Sequence, residues 1–163
     1  MQTPSDRQRG EGRVQAIAIA AGAEGRMRLI PSALALPGRG LEGDRYATGQ
    51  GTFSDGTPDG RALTLIEAEV LEDLALPDAR SLNAVQARRN IVTRGISLNP
   101  LVGKRFLVGD VECEGRRLCE PCAHLERLTG SGLEGLVHRG GLRADILSRG
   151  EIVLGAIVRE PAA

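Results

Sequence analysis

Apolar and polar residues alternate over short stretches of this chain, and glycine or proline interrupts them every few residues. VQAIAIA (14–20), RMRLI (26–30) and SALAL (32–36) follow a period of two, the repeat of a strand with one buried face, and predict a small meander over the opening third. RALTLIEAEVLEDLAL (61–76) starts as a strand and turns helical near Glu67, where Ala68, Leu71, Leu74 and Ala75 take helical spacing until Pro77 ends it. Residues 87–118 break into strand-like pieces at Gly95, Pro100, Gly103, Gly109 and Gly115. Within them KRFLVG and VECEG read as hairpin arms turning at Gly109–Asp110. GLRADILSRGEIVLGAIV (141–158) predicts two more strands around a turn at Ser148–Arg149–Gly150. Many short strands with a few short helices make the chain mainly β, a barrel or sandwich rather than a βαβ fold.

Two stretches fall outside this pattern. Residues 1–12 are polar and rich in glycine and arginine, the composition of a disordered tail, which leaves one domain over 13–160 of the 163 residues. PGRGLEGDRYATGQGTFSDGTPDG (37–60) carries too many glycines for a regular element and reads as a long loop; a loop of that length in a small domain either covers a site or is flexible.

Charge narrows the functional classes. Lysine plus arginine and aspartate plus glutamate each number 21, so the net charge is +0, which disfavours nucleic acid or an acidic membrane as partner. Only Tyr46, Phe53 and Phe106 are aromatic, too few for a base-stacking platform. No apolar run nears the roughly 18 residues of a membrane span, and MQTPSDRQRGEGR lacks the apolar centre of a signal peptide, so a cytoplasmic location is expected. Three cysteines without an export signal argue for reduced thiols, a metal or catalysis rather than a disulfide framework.

The chemistry concentrates in LCEPCAHLERLTG (118–130). Cys119-x-x-Cys122 is half of a zinc ribbon, but a structural zinc needs four ligands, and Cys113, His124 and the distant His138 are poor completions. A thioredoxin-type dithiol needs a βαβ setting, and the strands here read as antiparallel. The third reading is a single thiolate at the start of a short helix, with Pro121 in the first turn and Cys122 favoured as the anion that ligates a soft metal or attacks an electrophile. Cys113 sits in the alternating VECEG and reads as a small buried hydrophobe.

GLEGDRYA (40–47), RRNIVTRGISLNPLVGKRFLVG (88–109), LCEPCAHLE (118–126) and GGLRADILSRGEIVLGAIV (140–158), in this order and spacing, resemble the MOSC domain, named for the C-terminal domain of molybdenum cofactor sulfurases. The resemblance runs from about residue 13 onward and is to the small stand-alone bacterial form. It implies a closed or partly open antiparallel β-barrel with a few short peripheral helices and a pocket for molybdenum cofactor, a molybdopterin. The family cysteine matches Cys122, implied as molybdenum ligand or persulfide carrier, with Cys119 as second choice. The family's Arg-x-Asn-like segment matches Arg89 and Asn90 at the pocket, where a guanidinium can clamp the pterin phosphate and an amide can read pterin donors and acceptors. Asp44 and Arg45 in the loop, Arg61 at its end and Arg143 in GLRA complete the implied cofactor-binding set.

Pyridoxal phosphate is not expected, because the only lysine, Lys104, falls on a strand. The functions implied are a module that binds molybdopterin or carries a persulfide sulfur for cofactor or metal–sulfur chemistry, or a molybdenum-dependent reductase of N-hydroxylated compounds. The reductase would need a separate electron-donor protein, since no flavin or iron–sulfur motif is visible, and the carrier a sulfur donor. A domain that keeps the fold without the cofactor is the third possibility.

Overall fold

β1 (Gly12–Ile19) sets the pattern: Val14, Ile17 and Ile19 are buried while Arg13 and Gln15 face solvent. The computed structural model describes residues 11–22, 27–44, 62–73, 88–118 and 140–161. β1 is followed by β2 (Arg28–Leu29), β3 (Ser32–Leu36), β4 (Gly40–Leu41), β5 (Leu63–Glu67), the helix α1 (Ala68–Asp73) and β6 (Ile91–Arg94). A 3-10 turn at Asn99–Leu101 then leads into β7 (Arg105–Val108), β8 (Val111–Leu118), β9 (Leu142–Ile146), β10 (Gly150–Val153) and β11 (Ile157–Arg159).

The strands close into a barrel in the order β11-β7-β8-β9-β5-β6-β1, with β1 returning to β11 through Gly12↔Val158 and Arg13↔Ile157; β2 is appended to β1. Closure removes the unpaired edges that an open sheet would expose. All neighbours in the barrel are antiparallel except β5 and β6, which run parallel with Leu65↔Ile91 and Ile66↔Val92. A parallel pair requires a crossover. Here it begins with α1, where Glu69 Oε2 accepts from the Gly95 amide at 2.8 Å, while Glu67 Oε2 at the end of β5 accepts from the Leu98 amide at 3.3 Å, fastening the β5–α1 junction to the chain beyond β6.

The hairpin at Gly109–Asp110 forms as its sequence predicts, with Val108↔Val111 flanking the turn. The opening third is not a meander. β1 and β2 are antiparallel neighbours, but β3 pairs with β4 and with the distant β10, forming a separate three-stranded sheet. Residues 141–158 likewise hold three strands rather than two: β9 stays in the barrel, β10 leaves it for β3, and Gly155 (φ +85°) lets the chain turn back as β11. Local alternation marks a strand without naming its partner, so both differences lie in pairing. The predicted tail and most of the long loop lie outside the described residues, apart from residues 11–12 and 37–44.

Apolar side chains fill the barrel. Ile17, Leu63, Leu65, Ile91, Phe106 and Leu142 are fully buried in one cluster, which Ala33, Ala35, Leu41 and Ile152 of the smaller sheet join. A barrel of this size packs its interior rather than holding a large ligand there. Polar chemistry is therefore left to the outer wall and the strand ends.

Candidate functional site

Strand alternation builds a row of polar residues on the barrel's outer face. Leu63 and Leu65 of β5 and Leu142 and Ala144 of β9 point into the core, so Thr64 and Arg143 between them point away from it. Register lines these positions up: Arg117 of β8 opposes Arg143 of β9, Arg143 opposes Thr64 of β5, and Thr64 bonds Asn90, just ahead of β6. The row passes from exposed Arg117 through half-buried Arg143 to Thr64 and Asn90, which are sealed from solvent.

Asn90 ties three strands together. Its Oδ1 accepts from the Thr64 amide at 3.1 Å and from Thr64 Oγ1 at 3.2 Å. Its own amide donates to Thr64 Oγ1 at 3.0 Å, and its Nδ2 donates to the Ala18 carbonyl at 3.1 Å. A buried amide so engaged satisfies the backbone where β5 and β6 would otherwise lose ladder bonds.

Arg89, buried beside it, donates from Nε to the Gly140 carbonyl at 2.9 Å, joining the start of β6 to the residue that leads into β9. Two backbone features allow that approach. Arg88 adopts φ 58°, and Gly141 (φ +105°) lies so close to β5 that a Cβ there would sit 1.9 Å from the Leu65 carbonyl oxygen.

Asp44 is fully buried, and its Oδ1 accepts from the Ala20 amide at 2.9 Å, pinning the turn after β4 to the end of β1. Gly43 (φ +85°) supplies the left-handed step before it.

Of the residues implied by the motifs, Asp44, Arg89, Asn90 and Arg143 are thus placed. Arg89 and Asn90 share the start of β6, where Asn90 bonds Thr64, the register partner of Arg143; Asp44 reaches the end of β1, the strand that Asn90 also bonds. Arg45, Arg61, Cys119, Cys122, His124 and His138 lie outside the described residues. Leu118, the last described residue before Cys119, is registered with Leu142, so the chain flanking the cysteine stretch stands on two adjacent strands, next to the row. Thr64 and Arg117 have no place in the motif reading. The alternation in LTLIE marks Thr64 as facing opposite to Leu63 and Leu65; Arg117 takes its place from a bulge that no local pattern announces.

Cys113 is the described cysteine, buried inside the barrel with its thiol 3.9 Å from the Val111 carbonyl. Burial pushes that thiol up to about 12, and Glu112 and Asp145 add to the shift, so it stays protonated at physiological pH. Among the described residues no group of three or more His, Cys, Asp or Glu side chains is placed to hold a metal ion. No described helix is long and apolar enough to cross a membrane.

The fold is shared with solved structures of low sequence identity. The YuaD protein from Bacillus subtilis superposes with a TM-score of 0.75 at 12% identity, over 93% of this chain and 96% of that one. YiiM from Escherichia coli gives 0.67 at 19% identity, over 93% and 70%. YiiM from Geobacillus stearothermophilus gives 0.67 at 13%, over 93% and 75%. No curated protein matches the sequence. The MOSC domain family model matches residues 48–159, most of the chain, and with the barrel and the four motifs in order this chain belongs to the MOSC domain family.

Proposed function

We propose that this chain is a cytoplasmic molybdenum-cofactor module that binds molybdopterin or carries a persulfide sulfur, with Cys122 as metal ligand or sulfur carrier. The family is associated with molybdenum cofactor and sulfur chemistry in general. The observations that support the reading are that Arg143 lies near the start of β9, where the chain returns from the cysteine stretch, and that Arg89 donates to the carbonyl of Gly140, which leads into that strand. The donor set fits the group. Guanidinium groups suit a phosphate, and the Thr64–Asn90 and Ala20–Asp44 hydrogen bonds tie the neighbouring strands together.

Arg89 and Arg143 would hold the cofactor's phosphate, Asn90 and Asp44 would hold the strand ends that carry them, and Cys122 would supply the thiolate. When bound, the cofactor would supply molybdenum redox or sulfur-transfer chemistry.

The test is elemental analysis by mass spectrometry for molybdenum, tungsten and zinc, on protein from a host that makes molybdenum cofactor, beside Cys122→Ser. Near-stoichiometric molybdenum that the variant loses supports the cofactor reading. Reduction of a hydroxylamine substrate by that loaded protein with an added electron donor would move the assignment to the reductase. No molybdenum but a labile sulfur on Cys122 supports the carrier; neither metal nor labile sulfur overturns the proposal.

A further inference from the structure

The outer face of β8 and β9 holds one cation that its own strands leave over. Three carboxylates lie on these strands, and each is committed. Glu112 faces Arg105 at 3.2 Å, Glu114 faces Arg116 at 3.0 Å, and Asp145 receives Arg116 Nε at 3.0 Å. The side chain of Arg117 makes no hydrogen bond or ion pair among the described residues.

Its position compounds this. A bulge between Gly115 and Arg117 inserts Arg116 as the extra residue, shifts the register, and sets Arg117 directly opposite Arg143. Like charges directly opposite in a ladder destabilise it. Without the bulge the alternation of β8 would carry residue 116 to that position, and bulges commonly re-aim side chains next to functional sites. Thr64 is the next position in the row and Asn90 fixes it from β6, so the wall beneath the two guanidinium groups is held by buried hydrogen bonds.

We infer that Arg117 and Arg143 together form a binding site for a phosphate monoester, with Arg117 the residue that recruits it from solvent. Two arginines in direct register offer several N–H donors to one multi-oxygen anion, whose charge complements theirs. Arg117 is exposed and Arg143 half-buried, so the site opens outward at β8 and is anchored at β9. The inference rests on the molybdopterin reading only for the natural source of the phosphate; the site itself requires no molybdenum.

The experiment is calorimetric titration of the full chain, prepared without molybdenum, with inorganic phosphate at constant ionic strength. Native protein, Arg117→Gln, Arg117→Lys and Arg116→Gln are compared. Arg117→Gln is expected to weaken phosphate binding roughly tenfold, the loss of about one hydrogen bond to a charged group, with Arg117→Lys between it and the native protein. Arg116→Gln, which removes the same charge one residue away from an arginine already paired, is expected to leave affinity unchanged.

Equal losses in Arg116→Gln and Arg117→Gln would reduce the effect to general charge and overturn the inference, as would native protein that does not bind phosphate. The source is read separately. If Arg117→Gln also lowers molybdenum content in protein from a cofactor-producing host, the phosphate is the cofactor's; if molybdenum is intact while phosphate binding is weakened, it belongs to a free phosphate ester. Because the titration needs no molybdenum, failure of the cofactor reading leaves its outcome legible.

Discussion

At the scale of single residues, the face of a strand that a side chain occupies decides its chemistry. Cys113 points inward on β8 and is fully buried. Its thiol, pushed up to about 12, is therefore chemically silent in the folded protein. In a Cys119→Ser, Cys122→Ser background, labelling of Cys113 by an aromatic disulfide should wait on global unfolding, with a rate that follows denaturant; prompt labelling in buffer would show that the barrel opens locally. The same shift fixes a pH dependence. The folded thiol titrates above the unfolded one, so its contribution to stability is complete below the unfolded pKa and is lost as pH rises toward about 12. Between those limits the loss is about 1.4 kcal/mol per pH unit, and Cys113→Ala should flatten that limb of a urea-midpoint profile. Asn90 and Arg89 are sequence neighbours whose roles differ, the amide spent on tying β5 and β1 together and the guanidinium reaching Gly140, which leads into β9. The motif marks both positions alike, and the hydrogen bonds that separate their structural parts are tertiary ones that no linear pattern contains.

Elements were legible where their determinants are local. The β7–β8 hairpin is written in two alternating arms and a Gly109–Asp110 turn, and the switch from β5 to helix near Glu67 is written in a change of period; both form at those positions. What alternation did not specify is the partner. β3 takes β10, more than 100 residues away, and the bulge that brings Arg117 opposite Arg143 exists only because β8 lies beside β9. Close approach of backbones is a second non-local determinant, and it yields a comparison. Gly38 (φ +70°) and Gly141 (φ +105°) both occupy left-handed backbone, but a Cβ at Gly38 meets nothing within 4 Å, whereas at Gly141 it meets the Leu65 carbonyl oxygen at 1.9 Å. Gly38→Ala should cost about 1–2 kcal/mol, the conformational term alone. Gly141→Ala adds overpacking against β5 and should cost about 2–5 kcal/mol in all, read as the difference in urea midpoints at equal m. Equal costs would mean that the chain ahead of β9 gives way without disturbing β5. A loss of phosphate affinity in Gly141→Ala under conditions where it remains folded would show that this approach also sets the position of Arg143.

For the whole molecule, closure of the barrel divides labour between its two surfaces. The interior is one apolar cluster centred on residues such as Phe106, Leu65 and Ile91, and it supplies stability; the polar row lies on the other side of the same strands and is the proposed binding surface. Each β5 or β9 residue contributes to one surface only, since alternation sends Leu65 inward and Thr64 outward. Stability and binding should then respond to different substitutions. Phe106→Leu, inside the barrel on β7 and registered with Cys113, four residues before Arg117 on β8, should lower stability by about 1–2 kcal/mol through lost contact and imperfect refilling of its volume. At a temperature where the variant is fully folded, its affinity for inorganic phosphate should stay within about twofold of the native value, since additivity holds for distant sites without shared partners. Arg117→Gln should do the reverse, shifting the urea midpoint little because the residue is exposed and opposes a like charge, while weakening phosphate binding. Urea titration and phosphate calorimetry on the two variants and their double mutant measure both effects. If Phe106→Leu weakens binding in proportion to its loss of stability, the wall is not rigid and the row is shaped by the packing behind it. If the two effects add in the double mutant, the strands of the barrel isolate its outer chemistry from its inner packing, and the same interior can carry different chemistry on its outer wall.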